Sequence, residues 1–282
     1  MHDSSPIPLT IILAVTVCLY VRGWRRLRSA SRRIVRSGSL MAFISGVTLI
    51  WAAVGSPIAA LDDELLTVHM VQHLLLMAIG PPLILMGRPA LCVLSGIPKR
   101  LVLHCIAPIL RFVTVRQLRR IAVHPGFCLI VATATLVGWH FPALFALGLH
   151  SARWHEIQHG CFLLSGFVFW LPVIEVRSAI LKPTTWSVPL YLFFATLPCD
   201  ALSAFLTFCG RVVYPSYLVV PRSFGISALQ DQEMAGVLMW VCVTFIYMVP
   251  AIMLTVRILS SATLAHQQFR SSPLADAVPE VK

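Results

Sequence analysis

Seven stretches of about 20 mostly apolar residues constrain this chain more than any other feature. They lie near 7–23, 39–60, 66–87, 125–147, 156–175, 187–209 and 233–256 of its 282 residues. At 1.5 Å of rise per residue, a helix of about 20 residues crosses a hydrocarbon core of about 30 Å. Backbone polar groups in lipid have to be satisfied within their own segment, and side chains there have to be apolar. Only 12% of the residues are charged and 58% are hydrophobic, whereas a soluble domain carries about 25% charge. The expected fold is therefore an all-α polytopic transmembrane bundle, a single domain over residues 1–260 with a polar tail at 261–282. So much chain in lipid leaves no room for a separate soluble domain.

The net charge of +11 needs no nucleic-acid partner, because cytoplasmic loops of membrane proteins are enriched in Lys and Arg. Seven arginines from Arg22 to Arg36 follow the first stretch, which places that loop inside and the N-terminus outside. Alternating from there, all of the 22 basic residues except Arg153, Arg211 and Arg222 fall on the cytoplasmic side. One span more or fewer would break this sorting, so the charges support seven spans and a cytoplasmic C-terminus. The first span has no basic residues before it and no small-residue cleavage site after it, unlike a signal peptide. Pro98 and the basic residues beyond it suggest amphipathic helices near 98–111 and 114–122 on the inner leaflet. Residues beyond about 260, with Pro273 and Pro279, read as a disordered tail. The outer loop 210–232 carries Tyr214 and Tyr217 and reads as an interfacial cap with aromatic anchors.

The polar chemistry collects on the outer side. His69 and His73 open the third span, and His155 and His159 open the fifth. Each pair is spaced i, i+4 and shares one helix face. With His140 and His150 of the fourth span, six of the ten histidines fall on that side. Paired histidines on two helices build a metal site in a bundle. Imidazole suits Zn, Cu and Fe, while thioether selects Cu(I), so Met70, Met77, Met234 and Met239 lean the set towards copper. Cys161, Cys199, Cys209 and Cys242 are further soft-ligand candidates among eight scattered cysteines that show no disulfide spacing. Asp200 lies within the sixth span, where an ionisable group costs roughly 2.5–3.5 kcal/mol and faces a partner or a cavity. Asp231, which opens the seventh span, is placed to accept from a histidine and fix its tautomer.

Each feature also has a plainer reading. A histidine pair at a helix start serves as a polar cap, methionines pack cores, and Asp231 with Glu233 complements a helix dipole. A retinal protein is excluded, because Lys99, Lys182 and Lys282 all lie outside spans. There is no H-E-x-x-H, G-x-S-x-G or P-loop. Bis-histidine haem stays open. A transporter would show broken helices in corresponding halves, and Gly80-Pro81-Pro82 has no counterpart.

The run HMVQHLLLMAIGPPLILMGRP at 69–89 resembles the hallmark segment of the multi-span caa-type cytochrome c oxidase assembly factors, the CtaG family. His124-Pro125, the segment 139–173, Tyr214-Pro215-Ser216-Tyr217 and DQEMAGVLMW at 231–240 agree in order and spacing, so the resemblance covers about 40–258. It implies a seven-span protein of the bacterial plasma membrane that assembles haem–copper oxidase, with oxidase subunits as partners and a role in supplying copper. On the matching positions His69, His73, His140, His155, His159 and Asp231 carry the family's polar pattern. The chain has no Met-rich or Cys-rich soluble copper domain at either end, so any copper site is built from the spans and their outer loops. The expected set is His73 and His159, deepest in their pairs, then His69, His155 and His140, with Met70 and Met77 holding Cu(I) and Asp200 and Asp231 behind them. The expected chemistry is ligand exchange, not catalysis. Two other readings use the same residues: a Zn or Fe membrane enzyme with Asp200 or Glu156 as base, and a metal-free scaffold for oxidase subunits.

Overall fold

The computed structural model describes residues 7–31, 35–108, 123–178, 186–221 and 224–270. Among these residues every regular element is helical. In chain order the helices are α1 (Ile7–Ala30), α2 (Ser37–Gly55), α3 (Leu66–His73), α4 (Gly80–Met86), α5 (Pro89–Gly96), α6 (Lys99–Leu101), α7 (Pro125–His140), α8 (Pro142–His150), α9 (Ala152–Ser178), α10 (Ser187–Phe208) and α11 (Ala228–Arg270). Short 3-10 turns at Pro57–Asp63 and Pro215–Leu218 lie in loops. Among the described residues six helices or fused helices are long and apolar enough to cross a membrane, and α7 with α8 makes a seventh when counted as one broken span.

That break is a bend of 72° between α7 and α8. The sequence pattern suggests one continuous span at 125–147, but Pro142 keeps Phe141 out of the helical region. Phe141 is extended, at φ −66 and ψ 127. The bend turns α8 inward, so that Phe145 is buried.

The continuous span Leu66–Met86 is the central pole and is far more buried than α1. It is three pieces end to end: α3, a π-helical turn at Leu74–Ile79, and α4. The Pro81-Pro82 pair explains the middle piece. Neither proline has an N–H to donate four residues back, and the Gly80 N–H donates to Leu75, five residues back. The Met77 carbonyl, which loses its donor at Pro81, accepts from the Trp170 indole of α9 at 3.2 Å. Gly166 lets α9 come this close, since a Cβ there would lie 2.7 Å from the Met77 carbonyl oxygen. On the other side α2 packs against α4, and Gly46 allows it: a Cβ there would lie 2.7 Å from Ile84.

The α10–α11 pair is the most extensive in the bundle, and Gly236 sits against Ser203 and Thr207 at its crossing. By contrast α1 packs mainly on α5, with Gly23 against Cys92 and Gly96 against Leu19 as backbone-to-backbone contacts. Small residues permit such approach between helices in lipid, where burial of apolar surface supplies little drive. The Tyr20 hydroxyl donates to the Gly87 carbonyl at 2.8 Å, which ties α1 to the end of the central span.

The clustered histidines and most of the arginines occupy opposite ends. The α3 histidines lie near the start of the central span and Arg88 directly follows its end. At that basic end the Arg26 guanidinium donates to the Ser95 carbonyl. Of the segment 98–111, expected to form an amphipathic helix, residues 99–108 are helical, with α6 running into a π turn at Val102–Ile106, and the rest of it beyond 108 lies outside the described residues. The one expected near 114–122 lies outside the described residues. The last helix continues to Arg270, past the boundary expected near 260; the rest of the expected tail, 271–282, is also outside them.

Candidate metal centre

Five histidine rings meet at the start of the central span. The i, i+4 spacing puts His69 and His73 on one face of α3, with ring centroids 4.4 Å apart. It does the same for His155 and His159 of α9, at 4.2 Å. The two pairs face each other. His69 stacks on His155 at 5.5 Å, and His73 stands edge-on to His159 at 6.2 Å. His140, the last residue of α7, closes on His73 at 5.8 Å. All five are buried.

The group closest to a ligand set contains a residue that pattern reading leaves out. Ligand atoms of Asp62, His69 and His155 all lie within 4.8 Å of one another. Asp62 comes from the 3-10 turn between α2 and α3, and its Oδ2 lies 3.2 Å from His155 Nε2. Burial, with Asp63 adding to it, pushes the Asp62 carboxyl up to about 7. A buried carboxylate at such a position favours a cationic partner. The signal for Asp62 in the sequence is its place, in an acidic run directly ahead of a histidine-bearing helix that follows a proline-started turn.

The other rings differ in how they are held. Among the described residues neither ring nitrogen of His73 has a hydrogen-bond partner, nor does His69 Nδ1. Such orphans cost about 1–3 kcal/mol each when buried, and they call for a water or an ion. His73 is fixed instead by stacking on Phe162 at 3.8 Å. His140 Nδ1 lies 2.7 Å from the Leu136 carbonyl oxygen, which only accepts, so Nδ1 carries the proton. In the neutral ring Nε2 then presents a lone pair, and it lies 3.3 Å from Met70 Sδ. A nitrogen and a thioether sulfur that face each other as two acceptors are placed as two ligands would be.

The lid over the site is polar on its inner side. The loop expected to anchor at the membrane interface turns Tyr214 and Tyr217 inward, each only 2% exposed. Tyr217 donates to the Asp62 carbonyl at 2.7 Å, and Tyr214 donates to the His140 carbonyl at 3.0 Å. Burial and the nearby Asp62 hold the Tyr217 hydroxyl well above its ordinary pKa, so it stays a donor. Gln232 pins the same loop, accepting from the Val213 N–H and donating to the Leu206 and Arg211 carbonyls.

Several expected site residues sit elsewhere. Asp231 does not meet a histidine. Its carboxylate accepts from the Leu66 N–H at 2.7 Å, the Thr67 N–H at 3.1 Å and the Thr67 hydroxyl at 2.7 Å. It therefore caps α3 from another helix, since Leu65 offers no side-chain cap of its own, and acts on the histidines only by holding their helix. Asp200 is half-buried and accepts from the Thr244 hydroxyl at 3.4 Å, between α10 and α11. Met234 is 51% exposed, and His150 and Glu156 are exposed as well. Met70, Met77, Met239 and Cys199 are buried and line one cavity with His73 and His140.

A helical membrane bundle with a buried histidine–carboxylate cluster under an aromatic lid is the class that these features define. Within that class the chain belongs to the cytochrome c oxidase caa3 assembly factor family (Caa3_CtaG), whose family model matches residues 18–261. It is also similar to an uncharacterized protein of Mycobacterium bovis and to one of Mycobacterium tuberculosis. Each is 26% identical over 214 residues, which covers 72% of this chain and 31% of the relative. The chain thus spans about a third of the length of these curated relatives. No solved structure matches it.

Proposed function

We propose that this protein assembles haem–copper cytochrome c oxidase by holding copper at the buried cluster and releasing it to an oxidase subunit. Asp62, His69 and His155 would be the ligands, with His73, His159 and His140 adjoining. The observation that carries the reading is the convergence of these three ligand atoms within 4.8 Å beside unpartnered imidazole nitrogens of His69 and His73. The donor set fits copper, since imidazoles bind it in either oxidation state. The copper is cargo, passed on by ligand exchange, with no bond made or broken in an organic substrate. The Arg-rich end of the bundle, opposite the histidines, would face the cytoplasm of a bacterial plasma membrane. A surface groove of about 340 Å³ lined by Asp63, His150 and Ser216 would give access from outside.

One observation favours a second reading. Two histidines and one carboxylate also suit a Zn or Fe enzyme. Against it, neither base expected for such an enzyme is at the cluster: Glu156 is exposed and Asp200 is turned to Thr244. A complementation experiment separates the readings. In a host lacking its own copy, the wild-type chain should restore oxidase with full copper, and a His69→Gln, His155→Gln variant should yield copper-poor oxidase. Full oxidase copper with the variant would refute the copper reading, and turnover of a small substrate by the zinc- or iron-loaded protein would support the enzyme.

A further inference from the structure

Deeper in the bundle than the Asp62 cluster lies a cavity of about 40 Å³, more than the roughly 10–15 Å³ that one small body needs. Six of its lining side chains carry nitrogen or sulfur donor atoms: His73, His140, Met70, Met77, Met239 and Cys199. All six are more than nine-tenths buried. They come from four separate elements, the central span, α7, α10 and α11, so no single helix accounts for their meeting. Apart from Thr133 and Tyr247 the remainder of the lining is apolar, including Leu74, Ala78 and Val243. We propose that this cavity is a second metal site, distinct from the Asp62–His69–His155 cluster and selective for Cu(I).

Two observations point to a ligand there. His73 lines the cavity with both ring nitrogens unpartnered among the described residues. His140 directs its Nε2 at Met70 Sδ over 3.3 Å while Nδ1 is committed to the Leu136 carbonyl. Metal–nitrogen and metal–sulfur bonds of about 2.0 and 2.3 Å in a tetrahedral arrangement separate the two donors by about 3.5 Å. The observed spacing is close to that, so a shared ion needs little rearrangement.

Donor type and charge select the ion. Thioethers and thiols favour Cu(I) over Zn(II). In a low-dielectric interior the cost of an uncompensated charge rises steeply with its magnitude, and these lining side chains include no carboxylate, so a monovalent ion is preferred. The outer cluster differs in just this respect, because Asp62 supplies a negative charge. His73 lies between the two sites: it touches His69 at 4.4 Å and also lines the cavity. From His69 to Met77 the central span descends about 12 Å at 1.5 Å per residue. Copper taken up at the outer cluster would pass by exchange at His73 into a sulfur-bearing site that rejects zinc. Only this route rests on the function proposed above; the inner site stands on its own donors.

The test is anaerobic titration of the purified full chain with Cu(I) against a chromophoric Cu(I) chelator, with Zn(II) in parallel. The wild type should take up two Cu(I). A Met70→Leu, Met239→Leu variant should take up one and lose sulfur from its copper X-ray absorption spectrum. An Asp62→Asn, His155→Gln variant should also take up one and keep the sulfur. Loss only in the methionine variant would sink the outer cluster and leave the inner site standing. Two Cu(I) in the methionine variant, or zinc binding with sulfur ligation, would overturn the inner site. Should the methionine variant misfold, selenomethionine-labelled wild type decides the matter: copper–selenium scattering is expected, and copper bound without it refutes the proposal.

Discussion

Asp231→Ala removes the acceptor for the Leu66 N–H and the Thr67 N–H, and the nearer of two acceptors for the Thr67 hydroxyl, which keeps the Asp231 carbonyl at 3.1 Å. The first two belong to the opening turn of α3, whose N–H groups have no partner within the helix. Loss of an N-cap costs about 1–2 kcal/mol. Here the cap is a carboxylate 1% exposed, and hydrogen bonds to charged groups contribute about 1.5–3 kcal/mol each. The three bonds share one carboxylate and do not simply add. Each buried N–H left without an acceptor costs about 1–3 kcal/mol, so about 2–4 kcal/mol is the loss expected for Asp231→Ala. Asp231→Asn keeps one acceptor oxygen but turns an amide N–H towards a donor, so about half of that loss is expected. The assay is reversible denaturant unfolding in lipid–detergent micelles, with amide hydrogen exchange at Leu66 and Thr67. Faster exchange at both amides should accompany the lowered stability. Metal should be lost together with stability in Asp231→Ala, whereas His69→Gln should lose metal and keep stability. An Asp231→Ala protein within about 0.5 kcal/mol of wild type, a change typical of a neutral surface site, with unchanged exchange, would refute the capping role.

Three further outcomes follow from the packing and the lid. Gly166→Ala should lower stability by about 1–3 kcal/mol, because the added Cβ meets Met77 and Pro81 at 2.7–2.8 Å; denaturant unfolding checks it, and a neutral result would mean that α9 does not ride this close to the central span. Tyr217→Phe removes the hydroxyl that donates to the Asp62 carbonyl and should weaken metal binding by about tenfold, as loss of a supporting contact does; competition with a metal chelator reads it. In the metal-free protein Asp62 should contribute stability that is lost as pH rises. Asp62 is raised from its ordinary 3.8 to about 7, so its protonated form is favoured by folding, the contribution is complete below about 4, and it is lost as pH passes through about 7. Asp62→Asn should remove this part of the pH profile of unfolding.

The sequence carries the bundle itself because lipid leaves few solutions for long apolar segments, and helical spacing alone pairs His69 with His73 and His155 with His159. It also signals the break at Gly80-Pro81-Pro82, whose consequence is the π turn that ends at Ile79. Tertiary placement is less legible. Asp62 is separated from His155 by two spans, and only the fold of the 3-10 turn brings them to 3.2 Å. Asp231 has the same composition-level signature whether it meets a ring or a helix start, and packing of α11 against α3 decides for the latter. Tyr214 and Tyr217 read as interfacial anchors by residue type, yet their hydroxyls find buried carbonyls at His140 and Asp62. Met234 and Met239 are indistinguishable by type; the helix turn between them exposes the first and buries the second.

The central claim is tested most directly by the metal content of the protein purified from copper-replete cells, wild type beside the His69→Gln, His155→Gln variant. Copper retained by the wild type and depleted in the variant, with both equally folded, is the predicted result. Equal copper in the two proteins, or zinc or iron in place of copper in the wild type, would contradict it.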